Sequence, residues 1–583
     1  MLLDSDFGDG AYFLTTWQAW RDHPQRPQQL HYLALMPDMT SLQALQPLLE
    51  KWPQWQALAA ELCAVWPPAV PGFHRLFLQS GQLVLTLMVG DSTACLRQIV
   101  ASIDAFHLHG QSWLTWSRPL LGTLGRMAAA QASLSICSLE IAGLEARQAA
   151  LEQAGFIFDK DASRAIFSPR FTPRSQIENT PAVIDRHAIV IGAGLAGSAA
   201  CQRLARRGWR VTLIERHAEI AQEASGNIAG IFMPLLSRDD NPSSRLSRNA
   251  YLFARHVWQQ LGGIGNAFTG ATCGVLQIAR DAGHAAAQQQ LADRWRYPED
   301  FAEWLDQAAA TRLAGNPVSN GGWYFPAAGW VQPQSLCRAM LDDCGSGLKI
   351  LFEQRVTTLE REQQHWIARD QNGVEIARAP VMILANGCEA LDFPQAENLP
   401  LTAIRGQITH IDADLTPAIT PVICGEAYLT PACEGVCSVG ASYDEDTDTE
   451  LRQDSQADNL ARLANILPGW LGSELPLAGR VGFRCVAGDR LPLVGGLPDQ
   501  AGQSSVREAK LKDLPRFPGL YSLLGYASRG LIWAPLAAEL LAAQLGGEPL
   551  PIEADLAAAL DPGRFLLKKQ RHDTKPVPLK RAP

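Results

Sequence analysis

The segment His187-Ala-Ile-Val-Ile-Gly192-Ala-Gly194-Leu-Ala-Gly197 leaves a chain few ways to fold. An apolar run of strand length breaks into three glycines and then into a helical stretch from Ser198 to Ala205. A second apolar run, Arg210-Val-Thr-Leu-Ile, ends at Glu215, 18 residues beyond Gly197. Strand, glycine turn, helix, strand and acid in that order predict a βαβ unit built around a dinucleotide. Gly192 makes the tight turn, Gly194 lets the backbone approach a pyrophosphate, and Gly197 permits close helix–strand packing. The pyrophosphate would rest on the helix N-terminus, where unpaired N–H groups attract negative charge. Glu215 would face the ribose hydroxyls.

The next segment, Glu223-Ala-Ser225-Gly-Asn227-Ile-Ala229-Gly-Ile-Phe-Met-Pro234, is small and polar where a compact NAD domain would continue with a strand. Such residues can lie along a second stretch of an extended cofactor, which favours FAD. Ser225, Asn227 and Ala229 therefore join Gly192, Gly194, Gly197 and Glu215 as candidate cofactor contacts.

At 583 residues the chain is too long for one hydrophobic core, and two or three domains are expected. Residues 1–167 alternate strand and helix patterns. Pro169, Pro173 and Pro181 punctuate a linker at 168–186, a second α/β pattern runs over 187–563, and 564–583 is a basic tail. The net charge of −9 excludes a general polyanion binder, so any nucleic acid must be held by a local basic patch. The 12 cysteines form no C-x-x-C and no metal spacing, so reduced thiols and no metal are expected. Met1-Leu-Leu-Asp-Ser-Asp lacks a basic leader, and the apolar stretch Gly530–Gly547 carries Glu539 and Pro535. A cytoplasmic protein without a membrane partner is the expectation.

The fingerprint with Glu215 and Ala224-Ser-Gly-Asn-Ile-Ala-Gly230 resembles the FAD-dependent amine oxidases that act on glycine, sarcosine and D-amino acids. Further segments narrow the match: Gly329-Trp-Val-Gln-Pro333, Ile404-Arg-Gly-Gln407, Cys424-Gly-Glu-Ala-Tyr428, Val439-Gly-Ala-Ser-Tyr-Asp444, Gly479-Arg-Val-Gly-Phe-Arg484, Asp489-Arg-Leu-Pro-Leu493, Ala527-Ser-Arg-Gly530 and Ala559-Leu-Asp-Pro-Gly-Arg-Phe565. In this order they resemble the bifunctional tRNA 5-methylaminomethyl-2-thiouridine biosynthesis (MnmC) family. The resemblance implies an α/β chain: a Rossmann-like methyltransferase domain, then an FAD-binding oxidase domain pairing a βαβ unit with an antiparallel substrate sheet. It implies FAD-dependent conversion of the 5-carboxymethylaminomethyl group of a tRNA wobble uridine to 5-aminomethyl, followed by methylation from S-adenosylmethionine. It also places Val356 and Gly387 against FAD.

The substrate side chain is a secondary amine next to a carboxylate, and a guanidinium meets a carboxylate with a planar fork. Arg484 and Arg529 stand where the resemblance places carboxylate-binding arginines; Arg405 and Arg490 read more readily as structural ion-pair partners.

The amino-terminal match is weaker. Asp6-Phe-Gly8-Asp-Gly10 with Phe13-Leu-x-x-Trp17 resembles the cofactor loop of a methyltransferase, and Leu87-Met-Val-Gly-Asp91 the adenine-contacting segment, making Gly8, Gly10 and Asp91 candidate contacts. Three departures stand against activity. The leader that the family carries ahead of this loop is expected to be absent. Asp38 falls two positions late and follows a proline. His109-Gly110-Gln-Ser-Trp113 replaces an expected Asp and an Asn-Pro-x-x-Trp stretch. A lost hydrogen bond to a charged acceptor forfeits about 1.5–3 kcal/mol, so a degenerate methyltransferase is expected, with His109 a structural histidine.

For tRNA, the basic tail (Arg564, Lys568, Lys569, Arg571, Lys575, Lys580, Arg581) is one candidate patch, and the helix bearing Arg203, Arg206, Arg207 and Arg210 a second. Two other readings stay open: an oxidase of free glycine- or sarcosine-like amines, and a non-catalytic tRNA-binding flavoprotein.

Overall fold

The computed structural model describes residues 1–137, 143–160, 163–169, 185–469, 475–499 and 510–573, with side chains to residue 570. Residues 170–184 of the expected linker and 574–583 of the expected tail lie outside the described residues.

Residues 2–167 form one eight-stranded sheet. Its strands are β1 (Leu2–Asp4), β2 (Leu30–Met36), β3 (Gly72–Leu78), β4 (Leu83–Val89), β5 (Ile103–Leu108), β6 (Ala128–Ile136), β7 (Phe156–Phe158) and β8 (Arg164–Phe167), in the order β3-β4-β2-β1-β5-β6-β8-β7. The five strands β4-β2-β1-β5-β6 are parallel, so crossover helices cover both faces. That burial explains why β2 and β4 read as unbroken apolar runs. The strand order reverses between β1 and β5, which opens a crevice at their carboxyl ends.

A second, six-stranded sheet carries the fingerprint. Leu348–Leu351, Arg210–Ile214, His187–Ile191, Val381–Leu384 and Arg516–Leu524 run parallel in that spatial order, and Leu493–Pro498 adds an antiparallel edge. A third, eight-stranded sheet, mostly antiparallel, ends in Leu401–Asp412 paired with Ala478–Ala487. The register sets Ile404 opposite Arg484, Gly406 opposite Gly482 and Ile408 opposite Arg480. Among the described residues no helix is long and apolar enough to cross a membrane. The helix Gly530–Gly546 is buried nearly throughout, between the dinucleotide helix Leu195–Ala205 and the helix Pro242–Gln260.

The two halves meet through buried charge. Arg75 of β3 donates to Glu539 at 3.0 Å, and both side chains are fully buried. Arg207 reaches Glu539 and Glu548, each at 2.7 Å, and Arg203 lies 3.9 Å from Glu539. Nearby the Phe77 N–H donates to His256 Nε2 at 2.8 Å, which requires a neutral imidazole. Burial pushes His31, His74 and His256 down to about 4.

These contacts correct the second tRNA patch. Arg203 and Arg207 are spent inside the domain interface, Arg206 pairs with Asp343 at 2.6 Å, and Arg210 pairs with Asp185 at 2.9 Å. The start of the tail is corrected too. Arg564 opens a helix, Arg564–Asp573, binds Asp489 at 2.8 Å and donates to four backbone carbonyls, of 491, 492, 560 and 561; Leu567 is buried against Leu514. Lys568 and Lys569 stay exposed.

Candidate active site

A cavity of about 610 Å³ opens at the carboxyl ends of the parallel strands in the second sheet. Gly192, Gly194, Glu215, Ser225, Asn227, Ala229, Val356 and Gly387 all line it, as do Arg484 and Arg529. Gly197 stands behind the wall. A Cβ there would meet the Gly192 carbonyl oxygen at 1.8 Å, so its task is close packing of helix on strand. Gly192 takes a φ of +102°, and its missing Cβ leaves room for the backbone of Ala385 and Asn386.

The acid and the polar loop do more locally than their spacing implies. Glu215 accepts from the N–H of Ala193 at 2.7 Å and of His217 at 3.0 Å, pinning the glycine turn to its strand. A carboxylate offers about four acceptor positions, so two remain for a ligand. Ser225 Oγ accepts from the Leu195 N–H at 3.1 Å and caps the dinucleotide helix. Asn227 Oδ1 accepts from Arg480 at 3.0 Å, and Arg480 also donates to the carbonyls of Gln222 and Glu223. Arg480 thus holds the 222–227 loop against the cavity. It stood inside a quoted motif, yet only the pairing of Ala478–Ala487 with Leu401–Asp412 shows which loop it grips.

Among the described residues, two half-buried cations in the wall lack a counter-ion. Arg484 donates to the Ser442 carbonyl at 3.0 Å and its guanidinium lies 5.9 Å from the Tyr443 ring centroid. Gly406 makes room for it: a Cβ there would stand 2.2 Å from Nη1. Arg529 caps the start of the helix Gly530–Gly546. Among the described residues neither arginine has a carboxylate within ion-pair distance, and burial lowers the pKa of both. Arg405 is different: it is fully buried and bonded to Asp444, Gln407 and the carbonyls of Asp448 and Glu450. Arg490 is exposed.

Tyr526 Oη and Asn386 Oδ1 are buried without a hydrogen-bond partner, and both residues line the cavity. Orphaned polar atoms, a glycine cradle at a helix N-terminus and two unpaired cations fit an extended, anionic dinucleotide together with an anionic substrate.

The amino-terminal crevice is built differently. Gly8 and Gly10 take φ of +55° and +81°, as a tight cofactor-type loop would. Asp4, at the end of β1, is fully buried; it accepts from the Tyr32 hydroxyl and lies 2.5 Å from His109 Nε2. The Tyr12 ring covers His109 and His107 with centroids 4.2 and 4.8 Å away. The Asp91 carboxylate caps the helix Ser92–Gln98 through the Ala94 N–H at 2.8 Å, and Asp38 is exposed.

Comparison with known proteins gives this architecture its class. The family model for FAD dependent oxidoreductases matches residues 187–544. Among solved structures, glycine oxidase from Geobacillus kaustophilus aligns with a TM-score of 0.52 at 20% identity, over 61% of this chain and 94% of its own. Iminodiacetate oxidase from Chelativorans sp. BNC1 aligns with a TM-score of 0.51 at 23% identity, over 62% and 96%. The second half of the molecule is therefore an FAD-dependent oxidoreductase domain.

Whole-chain relatives go further. The tRNA 5-methylaminomethyl-2-thiouridine biosynthesis bifunctional proteins MnmC of Paraburkholderia phytofirmans and Azoarcus sp. strain BH72 are 41% and 42% identical to it, each over 98% of this chain and 90% of the relative. The chain belongs to the MnmC family.

Proposed function

We propose that this chain acts in the cytoplasm on tRNA, oxidising the 5-carboxymethylaminomethyl group of a wobble uridine, with or without 2-thiolation, to 5-aminomethyl. The observation that carries the substrate class is the pair Arg484 and Arg529, cations in the cavity wall with no carboxylate of their own. They suit the carboxylate end of an N-substituted glycine.

FAD, held along Gly192, Gly194, Glu215, Ser225, Asn227, Ala229, Val356 and Gly387, supplies a two-electron acceptor when bound. The protein's part is to position and to exclude water. Arg484 and Arg529 fix the carboxylate, so the C–H beside nitrogen is presented in one orientation. Burial pushes the Tyr428 hydroxyl up to about 12, so it stays a hydrogen-bond donor inside the cavity. Tyr526, raised by the same cause, offers a second. After oxidation of the C–N bond, water hydrolyses the imine, leaving the aminomethyl nucleoside and a two-carbon oxo acid.

The amino-terminal domain keeps the fold of a methyltransferase but pairs its own polar groups, Asp4 with His109 and Tyr32, at the crevice where a methyl donor and amine would meet. We assign it a weak or absent methylation step. Incubating the protein with tRNA bearing carboxymethylaminomethyl uridines, with and without S-adenosylmethionine, and weighing the nucleosides tests both statements. Aminomethyl product in both samples is expected. Methylaminomethyl product with the methyl donor would overturn the assignment of the amino-terminal domain, and no product would overturn the tRNA reading in favour of free amines.

A further inference from the structure

Two cysteines in the cavity wall have no place in the oxidation just described. Cys388 stands in the short helical turn Gly387–Asp392, directly after the glycine that faces the cofactor, and Cys485 follows Arg484 in the strand Ala478–Ala487. Both are free, both are half-buried, and both line the cavity. The two side chains lie close enough to interact. The two segments run in contact here: a Cβ added at Gly387 would lie 3.8 Å from Cys485 Cβ.

We propose that Cys388 and Cys485 are a redox-active dithiol that closes to an intramolecular disulfide when a small-molecule disulfide reaches the cavity wall. The pair is chemically unequal. The Val486 N–H donates to Cys388 and favours a thiolate there, whereas burial pushes the Cys485 thiol up. Thiol–disulfide exchange needs this asymmetry, with one thiolate to attack and one thiol to resolve.

The Cys388 thiolate attacks one sulfur of the small disulfide, forms a mixed disulfide and expels a thiolate. The Cys485 thiol, giving up its proton to that thiolate, attacks Cys388 sulfur and releases a second thiolate, which takes up the proton Cys388 lost on ionising. Two protein thiols are oxidised and one small disulfide is reduced to two thiols. The bridge would join the 385–388 segment, which packs on Gly192, to the strand that carries Arg484. The dinucleotide turn and a carboxylate-binding arginine would then share one covalent frame. The inference rests on the cavity alone and not on the tRNA substrate.

The test uses the full, flavin-loaded chain equilibrated in glutathione buffers from reducing to oxidising, then acid-quenched, alkylated, digested and weighed. The expected result is a peptide linked through Cys388 and Cys485 at the oxidising end, returned to two alkylated thiols by dithiothreitol. Cys485→Ser should stop at a glutathione adduct on Cys388, and Cys388→Ser should leave Cys485 free. Absence of the linked peptide from the wild-type chain overturns the proposal, whatever the variants do. Equal glutathione adducts on both single variants overturn the assigned order of attack.

Discussion

The molecule contains two mainly parallel sheets, and each places a glycine-bearing loop at the point where its strand order reverses. In the oxidase domain that crevice is a cavity of about 610 Å³ where Arg484 and Arg529 have no carboxylate among the described residues and the Tyr526 hydroxyl and Asn386 oxygen have no hydrogen-bond partner. In the amino-terminal domain the corresponding groups satisfy one another: Asp4 takes His109 and Tyr32, Asp91 caps a helix, and Tyr12 lies over both histidines. Topology makes a crevice available in both places. It becomes a binding site where the fold leaves polar groups unpaired, because a ligand then meets no competitor and relieves a desolvation cost.

The comparison breaks first if the oxidase crevice tolerates bulk. Gly197→Val should remove bound flavin completely, since even a Cβ would sit 1.8 Å from the Gly192 carbonyl. Gly194→Val, whose Cβ would stand 3.0 Å from Ser225 Oγ, should do the same with less damage to the fold. Visible absorbance after gel filtration of each variant decides the matter, and a yellow Gly194→Val protein would remove the site assignment.

The interface between the two domains comes next. Glu539→Gln leaves Arg75, Arg203 and Arg207 buried without their shared acid and should cost about 3–5 kcal/mol, read by denaturant unfolding. Acid should reach the same place. His31, His74 and His256 are pushed from 6.5 to about 4 in the folded chain, so the unfolded chain binds more protons between those values. Stability should be full above about pH 6.5 and fall as pH drops toward 4. A flat unfolding midpoint across that window would show that these imidazoles are not held neutral.

Smaller effects separate the two crevices by function. Arg529→Ala should slow flavin reduction by modified tRNA roughly 10- to 100-fold, the loss of one charged hydrogen-bonding partner, with tRNA binding unchanged. Equal loss of both would mean that Arg529 serves the RNA. His109→Ala should cost about 1–3 kcal/mol of stability by stranding Asp4, and leave the oxidation rate untouched. A change in oxidation rate would show that the amino-terminal crevice takes part in the reaction.

Much of the oxidase site is legible in the chain because its parts are local. Gly192, Gly194 and Gly197 are close in sequence, and Glu215 ends the next strand, so spacing alone brings them to one glycine turn, although it does not show that Glu215 binds the Ala193 and His217 N–H groups. The pairing of His109 with Asp4 was not legible, because the two stand 105 residues apart in sequence. The arginine-rich segment 201–210 misled: its helix ends at Ala205, Arg210 opens a strand, and Glu539, the partner of Arg207, lies more than three hundred residues away in sequence. Arg480, Gly406 and the Cys388–Cys485 contact were hidden for the same reason, their meaning depending on strand register and on which loop a strand faces.

By itself, then, the sequence determined the dinucleotide unit, the two-domain order and the types of residue near the flavin, because backbone conformation and βαβ spacing are short-range properties. Only the tertiary structure decided which arginines were left without a partner. Arg203, Arg207, Arg405 and Arg564 met acids as the sheets and helices packed, whereas among the described residues Arg484 and Arg529 did not. Whether a cation holds the fold together or waits for a substrate depends on what folding brings within about 4 Å of it, where Coulomb attraction in a partly dry site outweighs the cost of desolvation.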